Sequence, residues 1–185
     1  NLTGSNTSPE LQAIERAVAP QLARHSSAIT LNPELWARLS AIDADAEELS
    51  AEERRVLDRY RSRFRRAGAG LVPEAKTRIA EIAVRLAELG TQFSQNVLAD
   101  ERDFVLPLNG EADLAGLPPF LRDAAAAAAK ARGGGQRHVI TLSRSLIAPF
   151  LVFSTRRDLR ALAYAAWTRR GENGGETDNR AIIAE

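Results

Sequence analysis

Between Pro73 and Ala99 the chain sets Ile79, Ile82, Leu86, Leu89, Phe93 and Val97 at alternating intervals of three and four residues, until a last step of four. At 100° per residue these side chains fall within an arc of roughly 120°, the pattern of a long helix with an apolar seam for other helices. Pro73-Glu74 marks its start, and the periodicity carries it to about Ala99. Gly90 lies inside the arc. A glycine there costs roughly 1 kcal/mol of helix propensity, so it is expected to admit a neighbouring backbone at close range.

A fold containing such a seam needs partner helices, and the chain supplies them. Ser8-Pro9-Glu10 opens one that carries Leu11, Ile14, Val18, Leu22 and His25 to about Ser26, and Asn32-Pro33-Glu34 opens a second with Leu35, Trp36, Leu39 and Ile42. Ser50 and Glu53 form a capping box for a third, bearing Val56, Leu57, Tyr60, Phe64 and Ala67 and ending near Gly68 and Gly70. FVLPL at 104–108 and HVITL at 138–142 read as short extended segments, with Pro107 confining the first to an edge or bulge. An Ala-rich helix from about Pro119 to Arg132, closed by Gly133 to Gly135, separates them. A last major helix, expected to be capped by Thr155 with Asp158, runs through Leu159, Leu162, Ala166 and Trp167 to Gly171, and another begins at Thr177 or Asp178. The fold class is therefore mainly α: a helical bundle lobe with a small two-stranded β element near 104–108 and 138–142. Residues 1–185 are expected to form a single lobe, with helices over 8–99, a helix with a β-ribbon over 102–142, and helices over 149–185.

Composition agrees, since hydrophobic residues make up 44% and aromatics only 5%, with alanine and leucine carrying the apolar load. Absence of cysteine excludes a disulfide framework and thiolate chemistry. The 23 Arg and 2 Lys against 24 acids leave a net charge of +1, which exerts no general pull toward nucleic acid or an anionic membrane. No run approaches the 18 apolar residues of a membrane span. With no Met, a first residue Asn1, no signal-like opening and a helix just begun before Glu185, the chain reads as a piece of a larger protein.

Candidate sites are few. RRVLDRYRSRFRR at 54–66 holds seven arginines with Tyr60 and Phe64 interleaved. On a helical wheel with Arg54 at zero, the arginines occupy about 340° round to 180°, and Val56, Leu57, Tyr60, Phe64 and Ala67 about 200° to 300°. The aromatics are thus expected on the core side and the arginines as a solvated face, with a polyanion-binding patch as the alternative. Gly133-Gly134-Gly135 follows a helix rather than preceding one, so it reads as a C-cap, not a phosphate cradle. His25 and His138 lack a second His or carboxylate at ligand spacing, and no G-x-S-x-G occurs. Gln92, Ser94, Gln95 and Asn96 form a polar flank on the long helix. It is either solvated or able to bond an adjacent lobe or an extended peptide backbone. No residue is assigned to catalysis or to metal, and none to substrate.

KTRIAEIAVRLAELGTQFSQNVLADE at 76–101, DLAGLP at 113–118, HVITL at 138–142 and RRDLRALAYAAWTRRGENGGETDNRAIIAE at 156–185 resemble, in this order, the thimet oligopeptidase family of zinc metallopeptidases. The likeness is strongest to the peptidyl-dipeptidase and oligopeptidase A branch. ELQAIERAVAPQLARHSSAITLNPELWARLSAI at 10–42 is similar to the family's helical N-terminal region. The resemblance implies a neurolysin-like N-terminal lobe of a cytoplasmic enzyme, whose deep channel admits short peptides and excludes folded proteins. In the family, zinc sits on an H-E-x-x-H helix with a further glutamate, and no position of 1–185 matches those residues. The chain is therefore expected to be channel wall and scaffold without zinc or activity of its own. Its partners would be the C-terminal catalytic region and short peptides, not nucleic acid or membrane. The alternative is a helical interaction module with a basic arginine face.

Overall fold

The computed structural model describes residues 2–4, 7–43 and 49–185. It is mainly α with one small antiparallel ribbon, as the periodicities require. The chain divides into two compact units, Asn1–Gln92 and Phe93–Glu185.

In the first unit, α1 (Pro9–Thr30) begins where the Ser8 hydroxyl accepts from Leu11 N–H at 3.3 Å with Pro9 at the first helical position. It runs one turn beyond Ser26, because the Thr30 hydroxyl donates to the Ser26 carbonyl at 2.9 Å and Leu31 N–H closes on Ser27. Asn32 then caps α2 (Pro33–Ala41), its Oδ1 accepting from Glu34 and Leu35 N–H. In α3 (Ala51–Ala67) the expected capping box is present. Glu53 N–H donates to the Ser50 hydroxyl at 3.3 Å, and the Ser50 hydroxyl at 2.7 Å and Ser50 N–H at 2.9 Å donate to the Glu53 carboxylate, which holds that carboxyl below its usual pKa. Gly68, at φ 100°, ends the helix, which only glycine does without strain.

Two side chains of α3 fix α2 against it. Phe64 is buried and stacks on Trp36, with ring centroids 6.4 Å apart. Arg61 donates to the carbonyls of Leu39, Ser40 and Ile42, satisfying acceptors that the end of α2 leaves open. This changes the wheel reading. Leu57 and Phe64 are buried while Val56 is 48% and Tyr60 50% exposed, so the covered arc centres near 290° rather than about 250°. Tyr60 therefore belongs to the surface, not to the core side.

Helix α4 (Pro73–Asp103) spans the boundary between the units and extends one turn past Ala99. Its seam is only partly used. Leu89 is buried, but Ile82 and Leu86 stay exposed, and a Cβ on Gly90 would meet nothing within 4 Å. The close backbone approach expected at Gly90 is not made by the described residues.

The second unit holds a denser core. Strands β1 (Leu106–Leu108) and β2 (His138–Ile140) pair antiparallel, with Leu106 opposite Ile140 and Leu108 opposite His138. A two-stranded ribbon has only edge strands, so Pro107 fits without breaking a ladder. Helix α5 (Pro119–Arg132) lies between them in sequence and ends at Gly133, φ 66°, so the triple glycine is a C-cap as expected. Leu121, Ala125, Ile140, Ile147, Phe150 and Ala163 are at most 1% exposed and form the centre.

Ile147 and Phe150 come from α6 (Arg144–Phe153), which the sequence pattern does not announce. SLIAPFLVF is apolar on all sides, so it shows no amphipathic period, and its Pro149 reads as a breaker. Helix α7 (Arg157–Thr168) starts one residue later than a Thr155 cap would place it, with Arg156 at the cap position. Thr155 instead faces the DLAGLP turn, its N–H and hydroxyl both donating to the Ala115 carbonyl. Gly116 in that turn has φ 83°, and a Cβ on it would fall 2.3 Å from the Phe153 carbonyl oxygen. Asp113 accepts from Asn109 N–H at 2.8 Å and from Arg156, so the motif clamps the α6–α7 junction. A 3-10 turn, Gly175–Thr177, and the short α8 (Arg180–Ala184) complete the unit. The final helix thus begins at Arg180 rather than at Thr177 or Asp178.

Candidate functional site

The most organised polar cluster in the second unit joins the last turns of α4 to the segment 170–180. Asn96 and Asp100 are four residues apart on α4 and so share a face. Asp100 Oδ2 accepts from Gly171 N–H at 2.7 Å and Asn173 Nδ2 at 2.8 Å, and Oδ1 accepts from the Thr177 hydroxyl at 2.8 Å. A carboxylate with three donors is well satisfied, and each donor sits at a different point of the connector.

Asn179 is the buried centre, 1% exposed. Its Oδ1 accepts from Asn96 Nδ2 at 2.8 Å, its Nδ2 donates to the Phe93 carbonyl at 3.2 Å, and its backbone N–H donates to the Gly171 carbonyl at 2.7 Å. Gly171 must be glycine for two reasons. Its φ is 77°, and a Cβ would lie 2.6 Å from Asn179 Nδ2. Asp178 completes the turn by accepting from Gly174 N–H at 2.9 Å and from Arg180 N–H at 2.9 Å. The Arg180 guanidinium also bonds it, which together with these N–H donors holds the Asp178 carboxyl far below its usual pKa.

Arg170 bridges the same elements by pairing with Glu101 and lying 3.7 Å over the Trp167 ring centroid, with its Nε donating to the Trp167 carbonyl at 2.9 Å. Burial lowers its pKa, yet an arginine stays charged at any working pH. At the other end of α7, Arg156 bonds Asp158 and brings its carboxyl down to about 2.

This arrangement orients backbone and holds charge; it contains no nucleophile beside a base. Among the described residues no group of three or more His, Cys, Asp or Glu could hold a metal ion, so the residues present do not fit a zinc centre. His25 is exposed on α1, and His138 is half-buried at the start of β2 beside Gly134, Gly135 and Arg137. Of the polar flank, Gln92 and Ser94 face outward, Gln95 is buried, and Asn96 bonds Asn179. The amides next to Phe93 are thus partly committed within the chain rather than offered to a peptide. Sequence reasoning missed Asp100 and Asn179 as a pair. The one available signal was the Gly-rich, Asp- and Asn-bearing connector itself.

In the first unit a groove of about 800 Å³ runs between α1 and α4, floored by Ala28, Leu31, Ala80 and Val84 and rimmed by Arg24 and Glu88. A smaller one, about 380 Å³, exposes Leu11, Ile14, Val18 and Leu22 of α1.

No protein-family model matches the chain. It is 34% identical over 184 residues to dipeptidyl carboxypeptidase of Salmonella typhimurium, covering 98% of this chain and 27% of that protein. To dipeptidyl carboxypeptidase of Escherichia coli it is 32% identical over 184 residues, with the same shares of both chains. To oligopeptidase A of Escherichia coli it is 30% identical over 194 residues, covering 100% of this chain and 28% of that protein. The chain thus spans little more than a quarter of the length of the curated relatives it matches. Over its whole length it is a homologue of dipeptidyl carboxypeptidases and oligopeptidases A, the thimet oligopeptidase-like peptidases to which its motifs point.

Proposed function

We propose that this chain is the N-terminal, non-catalytic part of a zinc-dependent metallopeptidase of the dipeptidyl carboxypeptidase or oligopeptidase type. In this reading it forms wall and scaffold for a channel that takes short peptides. The observation that carries it is similarity over the whole chain to two kinds of peptidase, of which the chain spans 27–28%. Two further features support it. Apolar faces on α1 and α4 are uncovered in the first unit, with Leu22 and Leu86 each 62% exposed, and further chain would bury them. The second unit spends its polar residues on holding the connector, as a scaffold does.

Zinc in this reading is bound by residues of the C-terminal catalytic region, and this chain's part is to position and enclose. The enzyme acts in the cytoplasm, without nucleic acid as a partner. No helix among the described residues is long and apolar enough to cross a membrane.

The reading frame downstream of Glu185 is the first test. It should encode H-E-x-x-H a few hundred residues on, and the full product should bind zinc stoichiometrically. A downstream frame without that motif would remove the proposal and favour a helical interaction module.

A further inference from the structure

Asn173 is followed by Gly174 in the connector that Asp100 holds. An asparagine before glycine is open to attack by its own backbone, because without a Cβ the following nitrogen can reach the side-chain amide carbon. Asn173 is exposed, so water has access. Yet both reacting groups are engaged. The Asn173 side-chain Nδ2 donates to Asp100 Oδ2 at 2.8 Å, and the attacking group, Gly174 N–H, donates to Asp178 Oδ2 at 2.9 Å. Arg180 and two backbone N–H groups keep Asp178 ionised, so it remains an acceptor at neutral and alkaline pH.

We propose that Asn173–Gly174 is a deamidation site gated by the connector: closed, it is held unreactive; open, it reacts; and its product prevents the connector from closing again. In the reaction Gly174 N loses its proton and bonds to Asn173 Cγ. The Cγ–Nδ2 bond then breaks, Nδ2 takes up the proton and leaves as ammonia, and a five-membered succinimide remains. Water opens the ring at either carbonyl to give aspartate or isoaspartate at 173. The balance is one water consumed and one ammonia released, with no oxidant or cofactor.

The product cannot restore the contact. Where Nδ2 donated to Asp100 there is now a carboxylate, so two like charges face each other across a hydrogen-bond distance. Isoaspartate also lengthens the backbone by one methylene, which shifts Gly174 off Asp178. Because Asp100 also receives Gly171 N–H and the Thr177 hydroxyl, the loss reaches the turn that orients Asn179. This inference rests on the connector's geometry and is independent of the peptidase reading.

The purified chain is held at pH 8.5 and 37 °C, and the segment 170–180 is followed by peptide mass spectrometry and isoaspartate-specific methylation. A synthetic peptide of the same residues is run beside it. The chain is expected to react at least about tenfold more slowly than the peptide, because the rate is scaled by the open fraction. Asp178→Ala, which frees Gly174 N–H, is expected to move the rate toward the peptide's. In the Asn173→Asp variant, amide exchange over 171–179 is expected to be faster than in wild type. A chain that reacts as fast as the peptide overturns the gate, as does an unchanged rate in folded Asp178→Ala. Unchanged exchange in Asn173→Asp overturns the product's effect.

Discussion

Asn96 donates from Nδ2 to Oδ1 of Asn179 at 2.8 Å, across 83 residues of sequence and with Asn179 almost wholly buried. A buried amide with both ends bonded is stabilising only while each partner remains. Asn179→Ala is expected to lower the stability of the second unit by about 2 to 3 kcal/mol, since it leaves Asn96 Nδ2 without its acceptor, removes a second bond to the Phe93 carbonyl and opens a cavity. Asn179→Leu should cost at least as much. Urea unfolding followed by circular dichroism checks both.

Gly116 and Gly90 make an opposed pair. Gly116→Ala forces a Cβ to 2.3 Å from the Phe153 carbonyl at a positive φ, and a loss of about 2 kcal/mol or more is expected. Gly90→Ala meets nothing within 4 Å in the middle of α4, so a gain of about 0.5 to 1 kcal/mol is expected for this chain. Thermal melts of the two variants should move in opposite directions.

Arg61 holds the last carbonyls of α2 from a neighbouring helix. Arg61→Ala is expected to cost about 1 to 2 kcal/mol, and Arg61→Lys to recover only part of it, because an ammonium lacks the fork that spans several carbonyls. Hydrogen exchange localises the effect. Amides of Leu39 to Ile42 should exchange faster, and those of the second unit should not.

Low pH acts on the second unit through Asp158 and Asp178. Asp158 titrates at about 2 and Asp178 well below the usual range, against about 3.9 for an unfolded aspartate. Both bind protons less readily folded than unfolded, so their contribution is fully present above about pH 4 and is lost as pH falls through their folded values. Both pairs are partly solvent-exposed, so the effect is modest and weakens with salt. Melting temperature measured from pH 7 to 2.5 should fall at the acid end, and the double variant Asp158→Asn, Asp178→Asn should flatten that fall.

Most of the helices could be read from local chemistry, since Ser8, Asn32, Ser50, Gly68 and Gly133 each act on a backbone group within a few residues. The ribbon was equally plain, since β-branched and leucine-rich runs flank an Ala-rich helix. What escaped depends on distance. A wheel gives the phase of Tyr60 but not the edge of the covered arc, which is set by α2 and by the reach of Arg61. Helix α6 hides because its sequence is apolar all round, so the buried Leu146, Ile147 and Phe150 do not stand out from the exposed Val152 and Phe153. The Asp100 and Asn179 network could not be paired from sequence, because polar residues far apart carry no mark of their partners.

The measurement that bears most directly on the proposed role is cleavage of a short unstructured peptide, assayed with and without a metal chelator, by residues 1–185 alone and by the product of the whole reading frame. The expected result is chelator-sensitive cleavage by the whole product and none by this chain. Chelator-sensitive cleavage by residues 1–185 with stoichiometric zinc, or no cleavage by the whole product, would contradict it.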